Sequence, residues 1–309
     1  MAELVISEII ALSRGLHDRN REMHQGQWKK TAAGCREVRG KVLGIVGYGH
    51  IGSQLSVLAE SIGMRVIFYD VAQSMPLGMA SPMRSLEELL QAADFVTLHV
   101  PETSETIDMI GETQLKQMKQ GSFLINASRG TVVDLDALRK ALISQHLGGA
   151  ALDVYPSEPE ANGPWKTELE GLPNVILTPH IGGSTEEAQA AIGLEVAQNM
   201  IRFLDQGSTL GSVNFPELDL RPGKNFFESQ ESLSIYPCRI LNVHASVPGV
   251  LRKINEILSK YNIEKQVCES RGHFAYLMAD ISAACEADLQ QIFESIFQMP
   301  EAIATRLVY

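Results

Sequence analysis

"KVLGIVGYGHIGSQL", residues 41–55, sets an apolar, strand-like run against three glycines and then the opening of a helix. Gly47, Gly49 and Gly52 form G-x-G-x-x-G at the strand-to-helix junction, where the N–H groups of a helix N-terminus face outward and favour a pyrophosphate. By itself the pattern is weak. Asp70 gives it weight, because it closes the next apolar run, RVIFYD (65–70), where a carboxylate takes the hydroxyls of an adenine ribose. A carboxylate there also repels a 2′-phosphate, so the stretch predicts a dinucleotide site that prefers NAD to NADP. The competing reading is a tight turn in an ordinary α/β sheet with Asp70 merely exposed.

Outward from this stretch the pattern is regular. Apolar runs KVLGIVG (41–47), RVIFYD (65–70), FVTLHV (95–100), SFLINAS (122–128), GAALDVY (149–155) and NVILTPH (174–180) alternate with amphipathic stretches such as SLEELLQAA (85–93) and DLDALRKALISQH (134–146). Strands alternating with helices predict an α/β fold, a doubly wound parallel sheet covered on both faces. Ahead of it, Leu4, Val5, Ile9, Leu12 and Leu16 fall at helical spacing and predict one helix over 2–19. Behind it, TEEAQAAIGLEVAQNMIRFLDQG (185–207) reads as a long helix, and the Pro-, Gly- and charge-rich NFPELDLRPGKNFFESQES (214–232) as a linker. The remaining pattern is strand, helix, strand, strand, helix, strand, a separate ferredoxin-like βαββαβ unit.

The bulk numbers narrow the function. A chain of 309 residues, 45% hydrophobic, has enough apolar material for about two or three domains. Its net charge of −11 excludes the basic surface that a nucleic acid or an anionic membrane requires and points to a small-molecule ligand. Cys35, Cys238, Cys268 and Cys285 show neither zinc-knuckle spacing nor a disulfide framework, so no metal is expected and a reducing cytoplasm fits. The opening MAELVISEIIAL lacks the basic start of a signal peptide, and no apolar run is long enough to span a bilayer.

In a doubly wound sheet the ligand lies beyond the carboxyl ends of the strands. There stand Arg129 after SFLINAS, Asp153 and then Glu158 after GAALDVY, and His180 closing NVILTPH. A guanidinium can grip a carboxylate and polarise the reacting oxygen. An imidazole can take a hydroxyl proton as hydride leaves, and a nearby carboxylate orients its ring. Each residue alone also reads as ordinary surface or as a hydrogen-bonded structural group. Together they are the parts needed to oxidise a 2-hydroxy acid.

The segments NASRGTVVDLDAL, GGAALDVYPSEP and LTPHIGGSTEEAQ resemble the signature segments of the D-isomer-specific 2-hydroxyacid dehydrogenases, and the resemblance covers essentially the whole chain. It implies Arg129 as the substrate-orienting residue, His180 as general acid/base and Glu158 as its partner. For NAD it implies Gly47, Gly49, His50, Ile51, Gly52, Asp70, Ala127, Ser128, Arg129, Asp153 near the nicotinamide amide, and His180, Ile181, Gly182 and Gly183. Trp28 resembles a protruding tryptophan that packs into a neighbouring subunit, and Lys30 matches an active-site lysine position. The C-terminal unit is similar to ACT domains that sense L-serine, with His244, Ser246 and Glu264 as the candidate effector residues and Asn262 nearby.

The organisation implied is a remnant of the substrate-binding domain at 1–36, a Rossmann NAD domain at 37–179, a return helix at 180–214, a linker at 215–235 and an ACT-like regulatory domain at 236–309. Most of the family's N-terminal substrate lobe, which carries the carboxylate and phosphate contacts, is expected to be missing. The activity implied is NAD-dependent oxidation of 3-phospho-D-glycerate to 3-phosphohydroxypyruvate, with 2-oxoglutarate reduction as a further activity, in a cytoplasmic homo-oligomer, tetrameric by resemblance. The alternatives are a non-catalytic, NAD-binding or oligomerising remnant and a dehydrogenase of another 2-hydroxy acid.

Overall fold

The structure, a computed structural model, describes residues 1–221, 236–283 and 285–309. Two compact units divide the chain, Met1–Glu186 and Glu187–Tyr309.

The first unit runs α1 (Ala2–Arg14), α2 (Leu16–His24), β1 (Val42–Val46), α3 (His50–Ser61), β2 (Arg65–Tyr69), β3 (Ser81–Pro82), α4 (Leu86–Ala92), β4 (Phe95–Leu98), α5 (Glu112–Gln117), β5 (Ser122–Asn126), a 3-10 turn (Gly130–Val132), α6 (Leu135–Ile143), β6 (Leu147–Leu152) and β7 (Val175–Leu177). Its seven strands form one sheet in the order β3-β2-β1-β4-β5-β6-β7, and every neighbouring pair is parallel. The expected doubly wound sheet is therefore present, and its order reverses between β1 and β4, the position at which such sheets open a crevice for a ligand. Alternation along β1 serves both faces. Leu43 and Ile45 pack with Val5, Ile9 and Leu12 of α1 and Leu55 of α3, while Val46 packs with Leu89 and Leu90 of α4 and Leu138 of α6. Ser85 and Asp134 fix where α4 and α6 begin, each accepting a first-turn backbone N–H.

The single helix expected over 2–19 is two. Gly15 takes the left-handed conformation, φ 56°, and its N–H closes on the carbonyls of α1, so the helix ends there and α2 starts afresh. Val5, Ile9 and Leu12 are buried against the sheet, but Leu16, the last member of the apolar stripe, is 57% exposed. Periodicity cannot register that a glycine has changed the axis.

The second unit contains α7 (Glu186–Gln206), which starts at the last residue of the first unit, then β8 (Tyr236–Ala245), α8 (Val250–Leu258), β9 (Asn262–Arg271), β10 (Phe274–Ala283), α9 (Glu286–Phe297) and β11 (Ala302–Val308). The four strands are antiparallel in the order β11-β8-β10-β9, the βαββαβ arrangement read from the sequence. Ile254 and Leu258 of α8 and Leu289, Ile292 and Ile296 of α9 cover one face. On the other face Phe215, Leu218 and Leu220 pack against Leu241, Tyr276 and Met278, so the opening residues of the proposed linker lie on the sheet. Its remainder, 222–235, lies outside the described residues. Under that strap the Arg239 guanidinium donates to both oxygens of Asp280, at 2.6 and 2.8 Å, and to the Gln206 carbonyl at the end of α7. The pair is fully buried, and removing either partner alone would leave a buried charge at a cost of about 3–5 kcal/mol.

Candidate active site

The glycine loop opens where β1 ends. Gly47 has φ 91°, and a Cβ on it would run into the His99 carbonyl, so the turn requires glycine. A Cβ on Gly49 would meet nothing, which leaves open space before the N-terminus of α3, where His50 and Ile51 begin the helix. That space and those N–H groups fit a pyrophosphate.

Asp70 is tied to the same loop. Its carboxylate accepts from the Tyr48 N–H at 2.6 Å and from the Ala72 N–H at 2.8 Å. Tyr48 went unnoticed in the sequence, although its place inside the glycine motif was the available signal. Its ring stacks on Phe68 with centroids 3.8 Å apart, and its hydroxyl shares a hydrogen bond with Ser56 and accepts from the Leu77 N–H. Replacing Asp70 by Ala removes both loop contacts and the acid beside the ribose position. NADH binding is expected to weaken by about 10- to 100-fold, the worth of one charge-assisted hydrogen bond, and the gap to NADPH to narrow. Fluorescence titration of both cofactors checks this; equal affinities in the unsubstituted chain would remove the assignment.

At the end of β5, Asn126 organises the next loop. Its side-chain oxygen accepts from the N–H and hydroxyl of Ser128, and its amide donates to the Arg129 carbonyl at 2.9 Å. Ala127 and Ser128 are thereby buried while Arg129 reaches outward, one guanidinium nitrogen donating to the Ser128 carbonyl. The Asn126 role was also missed; the Asn-x-Ser spacing of an Asx turn was its trace.

Glu158 and His180 meet. The His180 Nδ1–H donates to Glu158 Oε2 at 2.7 Å, and Glu158 Oε1 accepts from the Tyr155 N–H at 2.9 Å. Burial, the largest single influence, pushes the Glu158 carboxyl up. The hydrogen bonds from His180 and Tyr155, with the charges of His180 and Arg129, outweigh it and hold the group below the usual glutamate range. Arg129, Glu158 and His180 thus share one rim. His180 sits at φ 53°, a backbone region that a non-glycine residue keeps only when its surroundings enforce it.

Asp153 supplies that enforcement. Wholly buried just after β6, it accepts from the Thr178 hydroxyl at 2.6 Å, the Ile181 N–H at 2.8 Å and the Gly182 N–H at 2.7 Å. Tyr155 adds a brace, its hydroxyl donating to the carbonyls of Leu152 and Thr178. Gly183 follows at the end of the turn.

Other sequence candidates lie elsewhere. Trp28, 81% exposed, and Lys30 stand on the surface between α2 and β1. In the second unit His244 is buried, its Nδ1 on the Asn242 side chain, with burial lowering its pKa. Ser246 is exposed, its N–H on the His273 carbonyl. Glu264 accepts from Ser282, at the end of the sheet opposite His244. One chain does not bring His244 and Glu264 together.

Residues 6–182 match the profile of the D-isomer specific 2-hydroxyacid dehydrogenase, NAD binding domain. All of this chain aligns with D-3-phosphoglycerate dehydrogenase 1 of Saccharomyces cerevisiae, 52% identical over 318 residues and 66% of the yeast protein, and with D-3-phosphoglycerate dehydrogenase of Escherichia coli K12, 47% identical over 314 residues and 73% of that protein. The chain therefore spans about two thirds to three quarters of these relatives. Among solved structures, the NAD-dependent formate dehydrogenase of Staphylococcus aureus in complex with NAD superposes with a TM-score of 0.61 at 30% identity, over 68% of this chain and 63% of that one. The glycine loop, Asp70 and the Arg129–Glu158–His180 rim lie inside the matched domain, and the chain belongs to the D-isomer-specific 2-hydroxyacid dehydrogenases, whose NAD-binding domain it carries.

Proposed function

We propose that this protein oxidises 3-phospho-D-glycerate to 3-phosphohydroxypyruvate with NAD, the chemistry that supplies the carbon skeleton of L-serine. The observation that carries the reading is the 2.7 Å contact between His180 and Glu158 on the rim that also holds Arg129. With Nδ1 committed to Glu158, Nε2 is the nitrogen left to take the proton of the substrate's C2 hydroxyl. The hydride acceptor for C2 would be supplied by NAD held on the glycine loop and Asp70. Arg129 holds the substrate carboxylate and steadies the charge that grows on the reacting oxygen. Asp70, Ala127, Ser128 and the 180–183 turn are assigned to the cofactor, Trp28 to a neighbouring subunit of a homo-oligomer, and Lys30 to an active-site lysine position. The name borne by relatives about half identical to this chain supports the substrate.

The test is a steady-state assay of the reverse reaction, 3-phosphohydroxypyruvate with NADH, against 2-oxoglutarate and pyruvate. Preference for the phosphorylated substrate is expected; equal rates with pyruvate would point to another 2-hydroxy acid. Binding of NADH without turnover on any of the three would leave a nucleotide-binding role. A cytoplasmic setting is supported by the four unpaired cysteines. Among the described residues no helix is long and apolar enough to cross a membrane.

For the second unit we infer pairing of sheet edges between copies without L-serine sensing. Backbone pairing at the β9 edge does not depend on side-chain identity. Glu264, in contrast, only accepts hydrogen bonds when ionised and would repel serine's carboxylate. Calorimetric titration of the whole chain with L-serine is expected to give no saturable signal. A micromolar isotherm abolished by Glu264→Ala would show that the carboxylate takes part in a working site.

A further inference from the structure

Glu8 lies outside the group described above. It sits on α1 in the apolar company of Val5, Ile9 and Leu12, is only 3% exposed, and neither carboxyl oxygen has a hydrogen-bond partner among the described residues. Buried polar groups without partners are rare in folded proteins, and each one calls for a cause. Glu8 lines a cavity of about 390 Å³ together with Leu4, Leu16, His17, Ile176 and Thr178. Thr178 is also one of the three donors to Asp153, the carboxylate that pins the turn after β7. One buried acid therefore holds the His180 turn, and a second lies close enough to feel its charge while having no donor of its own.

We propose that Glu8 is a positioning residue for His180: uncharged, it rests beside Asp153 without disturbing that residue's three hydrogen bonds, and on losing its proton it places a second negative charge there and loosens the Thr178–Gly182 turn. The turn is vulnerable because His180 is held at a positive φ by these contacts. Burial first, then the Asp153 charge, raise the Glu8 carboxyl to about 8. The titratable groups facing it are Asp153 after β6, Tyr155 beyond it, and His17 of α2 across the cavity; Glu158 and His180 follow through Tyr155. The Tyr155 phenol is itself pushed up, by burial and by the charges of Asp153, Glu158 and Glu8. Like charges buried together repel far more strongly than at the surface.

The linkage has a definite sign. The folded chain keeps a proton that the unfolded chain releases near the usual glutamate value of 4.5, so stability from this group is full below 4.5, falls as pH rises, and levels off above about 8. Glu8→Gln, uncharged at every pH, should remove that fall.

The proposal rests on reading His180 as the proton carrier, but its test reads the turn and not turnover. The whole chain, labelled at histidine, is titrated by NMR from about pH 6 to 10, and His180 is assigned by its loss in His180→Asn. The His180 ring signals are expected to show an inflection near pH 8 that disappears in Glu8→Gln, and the variant's melting temperature to lose its decline between about pH 4.5 and 8. Absence of the inflection in the unsubstituted chain, or its persistence in Glu8→Gln, would overturn the proposal. Should Glu8→Gln fail to fold, the titration of the unsubstituted chain decides alone. A chain that shows the inflection but does not reduce 3-phosphohydroxypyruvate would refute the proposed reaction and leave Glu8 in its role.

Discussion

His180→Asn is expected to lower kcat for reduction of 3-phosphohydroxypyruvate by about 10²- to 10⁴-fold, the range that a positioned proton donor contributes. The Kd for NADH should change far less than kcat, because the glycine loop and Asp70 lie at other strand ends and Asn still offers Glu158 a donor. Glu158→Gln is a milder change. The amide can accept the Tyr155 N–H and meet the ring, but the charge that orients the donating Nδ1–H is gone, at about tenfold or more in kcat. The pH dependence follows from Glu158 being held below the usual glutamate range. Its favourable pairing is complete above the ordinary value of 4.5 and is lost as pH falls through the lower, folded value. Activity that depends on Glu158 therefore declines on an acid limb below 4.5, and Glu158→Gln removes that limb. Rates measured across pH on both variants check this. An unchanged kcat in His180→Asn would take His180 out of the proton path.

The sequence was most legible where a residue's task is set by its own neighbours in the chain. The glycine loop, the alternation of apolar runs and the reactive residues after each run depend on local spacing, and they point to the parallel sheet, whose strand order is set by pairing across the fold. Residues whose task is set across the fold were not legible. Tyr48 and Tyr155 hold backbone groups of distant segments, and hydrophobic period does not mark such contacts. Glu8 carries no local signal either: a charged residue in an amphipathic helix ordinarily faces solvent, yet the helix turns it inward beside Val5 and Leu12. The break at Gly15 was hidden because Leu16 continues the period after the backbone has left it. Ser246 and Glu264 are candidates that the resemblance draws from two neighbouring subunits, and within one chain His244 and Glu264 stand at opposite ends of a sheet.

A second large effect is expected from a single added methyl group. Gly130 follows Arg129 and opens the 3-10 turn, and a Cβ there would fall on the Tyr155 carbonyl and the Pro156 nitrogen. These are backbone atoms and cannot rotate aside as a flexible side chain would. Nor is Tyr155 free to retreat: its N–H is held by Glu158, its hydroxyl by the Leu152 and Thr178 carbonyls, and its ring lies 4.3 Å from that of Trp165. In Gly130→Ala, then, either the loop bearing Arg129 or the turn bearing Glu158 must move. Overpacking of this kind costs about 1–3 kcal/mol. At about 2–4 °C per kcal/mol for a unit of this size, Tm is expected to fall by about 2–12 °C. The displacement also parts Arg129 from Glu158, so kcat/KM should fall about tenfold or more even at 25 °C, where the variant is still folded, because a misplacement of about 1 Å is enough to cost that. NADH affinity should fall less than the rate, since the glycine loop and Asp70 are untouched. Thermal unfolding, steady-state rates and NADH titration measure the three consequences separately, and the fluorescence of Trp165, its ring tilted against that of Tyr155, reports the displacement. If Gly130→Ala keeps its Tm within about 1 °C and its rate within about twofold, the two loops do not touch as described, and the common rim of Arg129, Glu158 and His180 goes with them.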